Sequence, residues 1–171
     1  MSVLKSLTLL LSSLFLLNCQ DQPQTPDPRP DTPAARNYLI AATPGEETSR
    51  GMMQLMASGF GQPQIAARLK YDVKTYTLTY VTTYKGDIVE ASGLIMVPVG
   101  MKDPAPIVSL QHGTTFEKDE APSERGGFHG MEFFASAGYI TLMPDFLGYG
   151  ESADLFHPYY DREHSALTVI D

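Results

Sequence analysis

The sequence has one cysteine, no tryptophan and no run of basic residues. A single cysteine, Cys19, excludes an internal disulfide. Lys and Arg number 12 against 20 acidic residues, which gives a net charge of −8. Because binding the phosphate backbone requires clustered Lys and Arg, we expect no nucleic-acid partner. Apolar content of 43% over 171 residues indicates one globular domain with a core of its own.

The N-terminus carries a short apolar stretch, residues 7–17, that follows Lys5 and is too short to span a membrane comfortably. This arrangement predicts a signal peptide. Residues 16–19, Leu-Leu-Asn-Cys, resemble a bacterial lipobox, although Asn18 stands where a small residue is usual. The resemblance implies a signal peptide over residues 1–18 and a lipid on Cys19, with the outer membrane or cell surface as the favoured location. An ordinary signal peptide with an incidental cysteine remains an alternative.

A proline-rich stretch, residues 19–36, follows the signal peptide. Its five prolines alternate with Asp, Gln and Thr, so it is extended and packs no core. We interpret it as a tether for a folded domain over residues 37–171; a proline-rich ligand for a partner is the alternative.

Two helices and a β-hairpin are predicted next. Residues 48–56 favour a helix capped by Thr48 or Ser49, with three methionines filling the core, and residues 62–69 favour a short second helix. Residues 71–84 are rich in Thr, Tyr and Val, which is typical of a strand. A tight turn over residues 85–87 then leads into a returning antiparallel strand over residues 88–99. The three methionines are Met52, Met53 and Met56.

The middle of the chain alternates strand, helix and strand. Residues 106–113 and 139–143 are short apolar runs bounded by Gly or Pro, which is typical of buried strands. Residues 127–137 favour a helix with Met131, Phe134 and Ala135 on its apolar face. The pattern predicts a parallel βαβ unit, and we expect its last strand to be an open edge.

Two motifs follow these strands and carry a resemblance. Gln-His-Gly-Thr at residues 111–114 and Pro-Asp-x-x-Gly-Tyr-Gly-x-Ser at residues 144–152 resemble the α/β-hydrolase fold, above all its secreted esterases and lipases. His-Pro-Tyr at residues 157–159 also resembles their loop sequence. The resemblance covers residues 71–171. It implies an α/β sheet with an antiparallel N-terminal hairpin followed by a parallel βαβ unit, truncated before the nucleophile strand.

The residues that would perform ester hydrolysis are incomplete. The fold requires a serine in a Gly-x-Ser-x-Gly turn, followed in the chain by an acid and a histidine, and no such turn occurs here. We therefore expect no catalytic residue in this chain and a triad beyond Asp171. The resemblance implies that the Thr114 backbone N–H serves the oxyanion hole. It makes five residues structural parts of the loops near the site: His112, Gly113, Asp145, Gly148 and Gly150.

Two residues in these loops could be mistaken for catalytic groups. Ser152 lacks the final glycine of a nucleophile turn, so we interpret it as a loop serine. Asp145 precedes any triad serine, and we expect its carboxylate to accept hydrogen bonds from backbone N–H groups of its own loop.

Two other kinds of site, for a dinucleotide and for a metal ion, are not indicated by the sequence. Residues 148–153 match the dinucleotide pattern G-x-G-x-x-A, but no helical pattern follows them, so no dinucleotide cofactor is expected. The chain's four histidines have no zinc-like spacing and no cysteine joins them, so we expect no metal. They are His112, His129, His157 and His164.

We interpret the chain as the N-terminal portion of a secreted, lipid-anchored serine hydrolase that acts on carboxylic esters. Its partners would be a small ester or lipid substrate once the enzyme is complete, and a membrane through the lipid. The sequence ends inside a predicted helix, and we expect no activity from these 171 residues alone. The alternatives are a non-catalytic surface lipoprotein, a truncated gene product and, less favoured, a peptidase of the same fold.

Overall fold

A five-stranded mixed sheet with helices on both faces makes up the part of the protein that the computed structural model describes, residues 38–171. The predicted signal peptide, Cys19 and the tether lie outside those residues. The elements in chain order are β1 Leu39–Thr48, α1 Arg50–Gly59, α2 Pro63–Ala66, β2 Val73–Tyr84, β3 Asp87–Pro98, β4 Ile107–Ser109, α3 Glu132–Ala137, β5 Ile140–Pro144 and α4 Arg162–Ile170. Short 3-10 turns lie at Lys118–Glu120 and Gly150–Ser152.

The predicted hairpin forms the centre of the sheet. Strands β2 and β3 pair antiparallel without a register shift, from Val73 opposite Pro98 to Tyr84 opposite Asp87. The connecting residues Lys85 and Gly86 have φ of 53° and 91°. Two consecutive residues with positive φ match the right-handed twist of the flanking strands, which is why such two-residue turns close hairpins.

The βαβ unit is also present, but the order of the strands corrects one expectation. The sheet order is β1-β2-β3-β5-β4, with β4 and β5 parallel. The last strand, β5, therefore lies inside the sheet, between β3 and β4, and is not an open edge. Gly93 of β3 permits this placement, because a Cβ there would lie 2.7 Å from the Met143 carbonyl oxygen of β5.

Strand β1 was not predicted. It pairs antiparallel with β2 at the edge of the sheet, and its register shifts between Leu39 and Ala41 and between Pro44 and Glu47. Pro44 and Gly45 interrupt the strand pattern of this exposed segment, since proline is confined to sheet edges and bulges and glycine weakens a strand interior.

The helices cover the sheet from two sides. Met53 of α1, Ala135 of α3 and Leu94 of β3 belong to one core cluster. Tyr80 and Ala91 belong to another, with Leu147. Successive strand residues point to opposite faces, and Tyr80 and Ala91 lie an odd number of residues from members of the first cluster on the same strands. The two clusters therefore occupy opposite faces of the sheet.

The helix predictions were right in position and partly wrong in detail. Ser49 caps α1, its hydroxyl accepting from Met52 N–H at 3.2 Å, as predicted. Met53 is fully buried, whereas Met52 is 55% exposed and fills no core. Helix α3 begins at Glu132 rather than residue 127, and Phe133, not Phe134, packs on the core. The helix begins late because Gly127 and Gly130 both have φ of 85°.

Candidate functional site

The ends of two parallel strands bring the two motifs together. Strands β4 and β5 run side by side from Ile107 opposite Ile140 to Ser109 opposite Leu142. Their carboxyl ends therefore share one edge of the sheet, where ligands bind in open α/β folds. His112 follows β4 and Asp145 follows β5, and the Nε2 atom of His112 lies 3.0 Å from the Asp145 carbonyl oxygen.

The Asp145 carboxylate is the best-buried polar group of this region. It is fully buried, and its Oδ1 accepts from Ser123 N–H at 2.8 Å. Its Oδ2 accepts from the Ser92 hydroxyl at 2.6 Å and from the Ser123 hydroxyl. These donors belong to β3 and to the turn after Lys118–Glu120, so the expected acceptance from backbone groups of its own loop is wrong. The carboxylate instead joins three separate segments, because a buried charge requires several donors and its own loop supplies none.

The glycines of the second motif allow this close packing. Gly148 has φ of 91°, and a Cβ there would lie 2.7 Å from both N and Cα of His157. Gly150 has φ of 51°, and a Cβ there would overlap the Ser92 hydroxyl oxygen and approach Asp145 Oδ2 to 2.5 Å. Both positions combine a left-handed backbone with close contact to a neighbouring segment, which only glycine tolerates without strain.

Ser152 closes the same loop from within. It is 5% exposed; its Oγ accepts from Gly148 N–H at 3.1 Å and donates to the Tyr149 carbonyl at 2.9 Å. A nucleophile requires an exposed oxygen and a base within hydrogen-bond reach. Ser152 is buried, and its hydrogen-bond partners in the described residues are all backbone groups. Its geometry is therefore that of a structural serine.

His112 orders the loop after β4. Its Nδ1 lies 2.7 Å from the Gly113 carbonyl oxygen, and its Nε2 faces the Asp145 carbonyl. Both oxygens are acceptors, so a neutral ring donates to only one of them. The ring packs edge-on against Phe146 and Tyr149, with centroids 5.1 Å and 5.9 Å away. Aromatic contacts of this kind fix the ring's orientation as well as its position.

Thr114 lies exposed in the cleft next to these rings. Its backbone N–H makes no hydrogen bond within residues 38–171. Its hydroxyl lies 3.3 Å from that of Tyr159, and this bond, together with one from Tyr160, lowers the pKa of Tyr159. Tyr149 O–H donates to the Thr115 carbonyl at 2.9 Å and so holds the loop that carries Thr114.

These groups surround an open cleft of about 160 Å³. Its walls come from both motifs and from the loop before α4; they include His112, Gly113, Thr114, Phe146, Tyr149, His157 and Tyr159. A larger cavity of about 270 Å³ lies on the α4 side of the sheet, but its lining is mostly apolar. The strand-end cleft is therefore the candidate site, since it combines a free backbone donor with polar side chains.

The other histidines take structural positions. His157 Nδ1 lies 2.7 Å from the Leu147 carbonyl, and His129 is paired with Glu132. His164 Nδ1 lies 2.7 Å from Asp161 Oδ2, and its Nε2 accepts from Lys85 N–H at 3.0 Å. Within residues 38–171, no three His, Cys, Asp or Glu side chains are grouped as ligands of one metal ion would be.

Several residues of the site were not predicted. Ser92 and Ser123 hold Asp145, and Tyr149 and Tyr159 line the cleft. Their contacts join segments far apart in the chain, which no local pattern reports. One signal was present: Ala-Ser-Gly at residues 91–93 is a run of small residues inside a strand, which indicates close approach of another segment.

The fold defines the class of protein: the described residues form an α/β-hydrolase-like sheet. Three solved structures share it. A presumed hydrolase from Legionella pneumophila is 30% identical, with a TM-score of 0.66 over 78% of this chain and 37% of that one. Two variants of the rice cell wall degrading esterase LipA from Xanthomonas oryzae are 22% and 20% identical. Their TM-scores are 0.65 and 0.60 over 80% of this chain and 36% of theirs.

The chain thus spans little more than a third of the length of the solved structures it matches. No protein-family model matches the chain, and no curated protein does. No helix within residues 38–171 is long and apolar enough to cross a membrane.

Proposed function

We propose that the chain supplies the oxyanion-binding part of a serine hydrolase that acts on carboxylic esters, with a small ester or a lipid as substrate. One observation carries the proposal: the Thr114 N–H, without an acceptor in the described residues, lies in a cleft at the carboxyl ends of two parallel strands. Backbone donors placed in this way stabilise the negative oxygen that develops during acyl transfer. Likeness to the presumed hydrolase at 30% identity supports the reaction class.

The serine, acid and base of this reaction would lie outside the 171 residues. The sequence has no Gly-x-Ser-x-Gly turn, and Ser152 is buried and hydrogen-bonded. We therefore propose that the chain alone turns over no ester. Release of p-nitrophenol from a short-chain p-nitrophenyl ester tests this point. Turnover by the purified chain that disappears on substitution of one of its own serines would contradict it.

The role of Thr114 is testable in the longer gene product that this proposal requires. Thr114→Pro removes the backbone N–H, whereas Thr114→Ala keeps it and removes only the hydroxyl bonded to Tyr159. Loss of one oxyanion donor lowers kcat by roughly 10²–10³-fold. We expect a loss of this size for the proline variant and near-normal kcat for the alanine variant. Equal kcat for both, at equal urea midpoints, would remove Thr114 from the oxyanion hole.

We also propose that the protein is exported and held at a bacterial membrane by a lipid on Cys19. The support is the apolar stretch of residues 7–17, which is followed, after Asn18, by Cys19, the only cysteine of the chain. A lipid contributes about 0.8 kcal/mol of membrane affinity per buried methylene. Metabolic labelling with a radioactive fatty acid should mark the wild-type protein and leave Cys19→Ser unlabelled. Equal labelling of both would contradict the assignment.

A further inference from the structure

A buried pair, His129 and Glu132, lies beside the turn that holds Asp145. The side chains are 6% and 2% exposed. The Glu132 oxygens accept from the His129 backbone N–H at 3.1 Å and 3.2 Å. The Nδ1 atom of His129 lies 3.6 Å from Glu132 Oε1. The carboxylate therefore faces both the backbone and the ring of the same histidine.

The surroundings of the ring favour its protonated form. Nε2 lies 3.1 Å from the Pro122 carbonyl, which only accepts, so this nitrogen carries a hydrogen. Nδ1 is buried without a hydrogen-bond partner among the described residues, and the Glu132 carboxylate lies 3.6 Å from it. In a neutral ring the Nδ1 lone pair would face that negative charge, whereas a proton there forms an ion pair. The Glu132 carboxylate, 3.6 Å from Nδ1, raises the pKa of His129 against the opposing effect of burial.

The pair is linked to the candidate site through one turn. Pro122, whose carbonyl bonds the His129 ring, directly precedes Ser123, whose N–H and hydroxyl bind Asp145. Asp145 in turn contacts His112 through its carbonyl. Hydrogen bonds, joined by the covalent link between Pro122 and Ser123 and by the backbone of Asp145, thus connect the start of α3 to the loop of the strand-end cleft.

Two other charged groups border the same space. Arg125, on the turn itself, and Glu46, on β1, line with the pair a cavity of about 130 Å³. The charge of Arg125 acts to lower the pKa of His129, but less than the contacts with Glu132 raise it. The remaining lining from β2 and β3 is uncharged: Thr75, Thr77 and Leu94.

We propose that His129 and Glu132 are positioning residues: their ion pair fixes the turn at residues 121–125 against Asp145, and the turn loosens when His129 loses its proton. The ion pair would affect the shape of the strand-end cleft through Asp145 and His112, and this proposal does not depend on which reaction takes place there. It gives the region a preference for mildly acidic conditions.

The pH range follows from the sign of each contribution. The pKa of His129 is raised above its ordinary value of 6.5, so its contribution is complete below 6.5 and is lost as pH rises through the folded-state pKa. Burial raises the pKa of Glu132, but hydrogen bonds from His129 outweigh it, and the net pKa lies below 4.5. Its contribution is complete above 4.5 and is lost at lower pH. The turn is therefore held most firmly between pH 4.5 and 6.5.

Nuclear magnetic resonance of the 171-residue chain tests the proposal with two signals. The ring of His129 should titrate above 6.5, and the Ser123 amide, corrected for intrinsic exchange, should lose protection several-fold over the same pH range. Glu132→Gln should lower the midpoint of His129 and abolish the pH dependence at Ser123. His164→Gln, which removes the other histidine of an i,i+3 pair with an acid, should leave the Ser123 signal unchanged.

A wild-type His129 that titrates at or below 6.5, or Ser123 protection that ignores the titration of His129, would overturn the proposal. Should Glu132→Gln fail to fold, the two wild-type titrations still decide the question, since coincident midpoints support the proposal and separate midpoints refute it.

Discussion

The hydroxyl of Ser92 donates to Asp145 Oδ2 over 2.6 Å, although the two residues lie 53 positions apart in the chain. The same oxygen of Ser92 accepts from Glu151 N–H at 2.9 Å. One small side chain on β3 thereby ties the end of β5 to the loop that follows it. The contact helps to fix the loop whose Tyr149 lines the strand-end cleft.

Asp145→Asn should be among the most damaging conservative changes in the domain. The amide nitrogen would replace an oxygen that accepts hydrogen bonds, which leaves a buried donor facing another donor. A hydrogen bond to a buried charge contributes about 1.5–3 kcal/mol, so we expect a loss of roughly 3 kcal/mol in unfolding free energy. Urea unfolding of the variant beside Asp154→Asn, an exposed control, measures it. Equal midpoints for the two variants would contradict the assigned role.

Ser92→Ala is a milder version of the same test. We expect a loss of about 1–2 kcal/mol, since the variant removes one of three donors to the carboxylate and the acceptor of Glu151 N–H. Combined with Asp145→Asn, its effect should be clearly less than additive, because both changes break one contact. Strict additivity in a double-mutant cycle would show that the two side chains do not interact.

Gly148→Ala separates steric overlap from backbone strain. The methyl group would meet the backbone of His157 at 2.7 Å, at a residue with φ of 91°. Gly100→Ala is the matched control, since φ is 74° there and nothing lies within 4 Å of the added atom. Left-handed strain of about 1–2 kcal/mol affects both variants, and overpacking adds about 1–3 kcal/mol to Gly148→Ala alone. Thermal unfolding should rank Gly100→Ala above Gly148→Ala in stability; the reverse order would contradict the packing of this loop.

Tyr80 should stay un-ionised while exposed tyrosines lose their protons. Burial raises its pKa far above the ordinary 10.0, and the charges of Asp145 and Asp171 act in the same direction. A raised pKa means that its contribution to stability is complete below 10.0 and is lost as pH rises through the folded-state value. A pH titration followed by tyrosinate absorbance should therefore show one fewer tyrosine with a raised pKa in Tyr80→Phe than in the wild type. The same variant should lose about 1 kcal/mol, because Tyr80 O–H donates to the Thr168 carbonyl at 2.7 Å. An unchanged titration curve would refute the assignment.

The sequence was sufficient for elements whose signal is local. Alternating Thr and Tyr in β2, the Lys85–Gly86 turn and the Ser49 cap all express preferences of neighbouring residues, and each appeared as predicted. Strand β1 was not predicted from the sequence, because Pro44 and Gly45 interrupt its pattern. The position of β5 between β3 and β4 was not predicted either, since strand order depends on how distant segments pack. Gly93 is a local sign of it, because a glycine inside a strand is typical of close approach by another segment.

The site shows the same division. Motifs after two strands were enough to place His112, Thr114 and Asp145 at one edge of the sheet. The donors to Asp145 were assigned to the wrong segment. A sequence does not show that a carboxylate will be buried, and the donors that a buried carboxylate requires come from residues far away in the chain, here Ser92 and Ser123. The pair of His129 and Glu132 was missed for the same reason.

The coding DNA after the codon for Asp171 tests the central claim most directly. If the chain supplies only the oxyanion side of an ester hydrolase, the reading frame continues and encodes a Gly-x-Ser-x-Gly turn, followed by an Asp or Glu and then a His. A stop codon directly after Asp171, in otherwise intact flanking sequence, would contradict the claim and leave the cleft without a nucleophile.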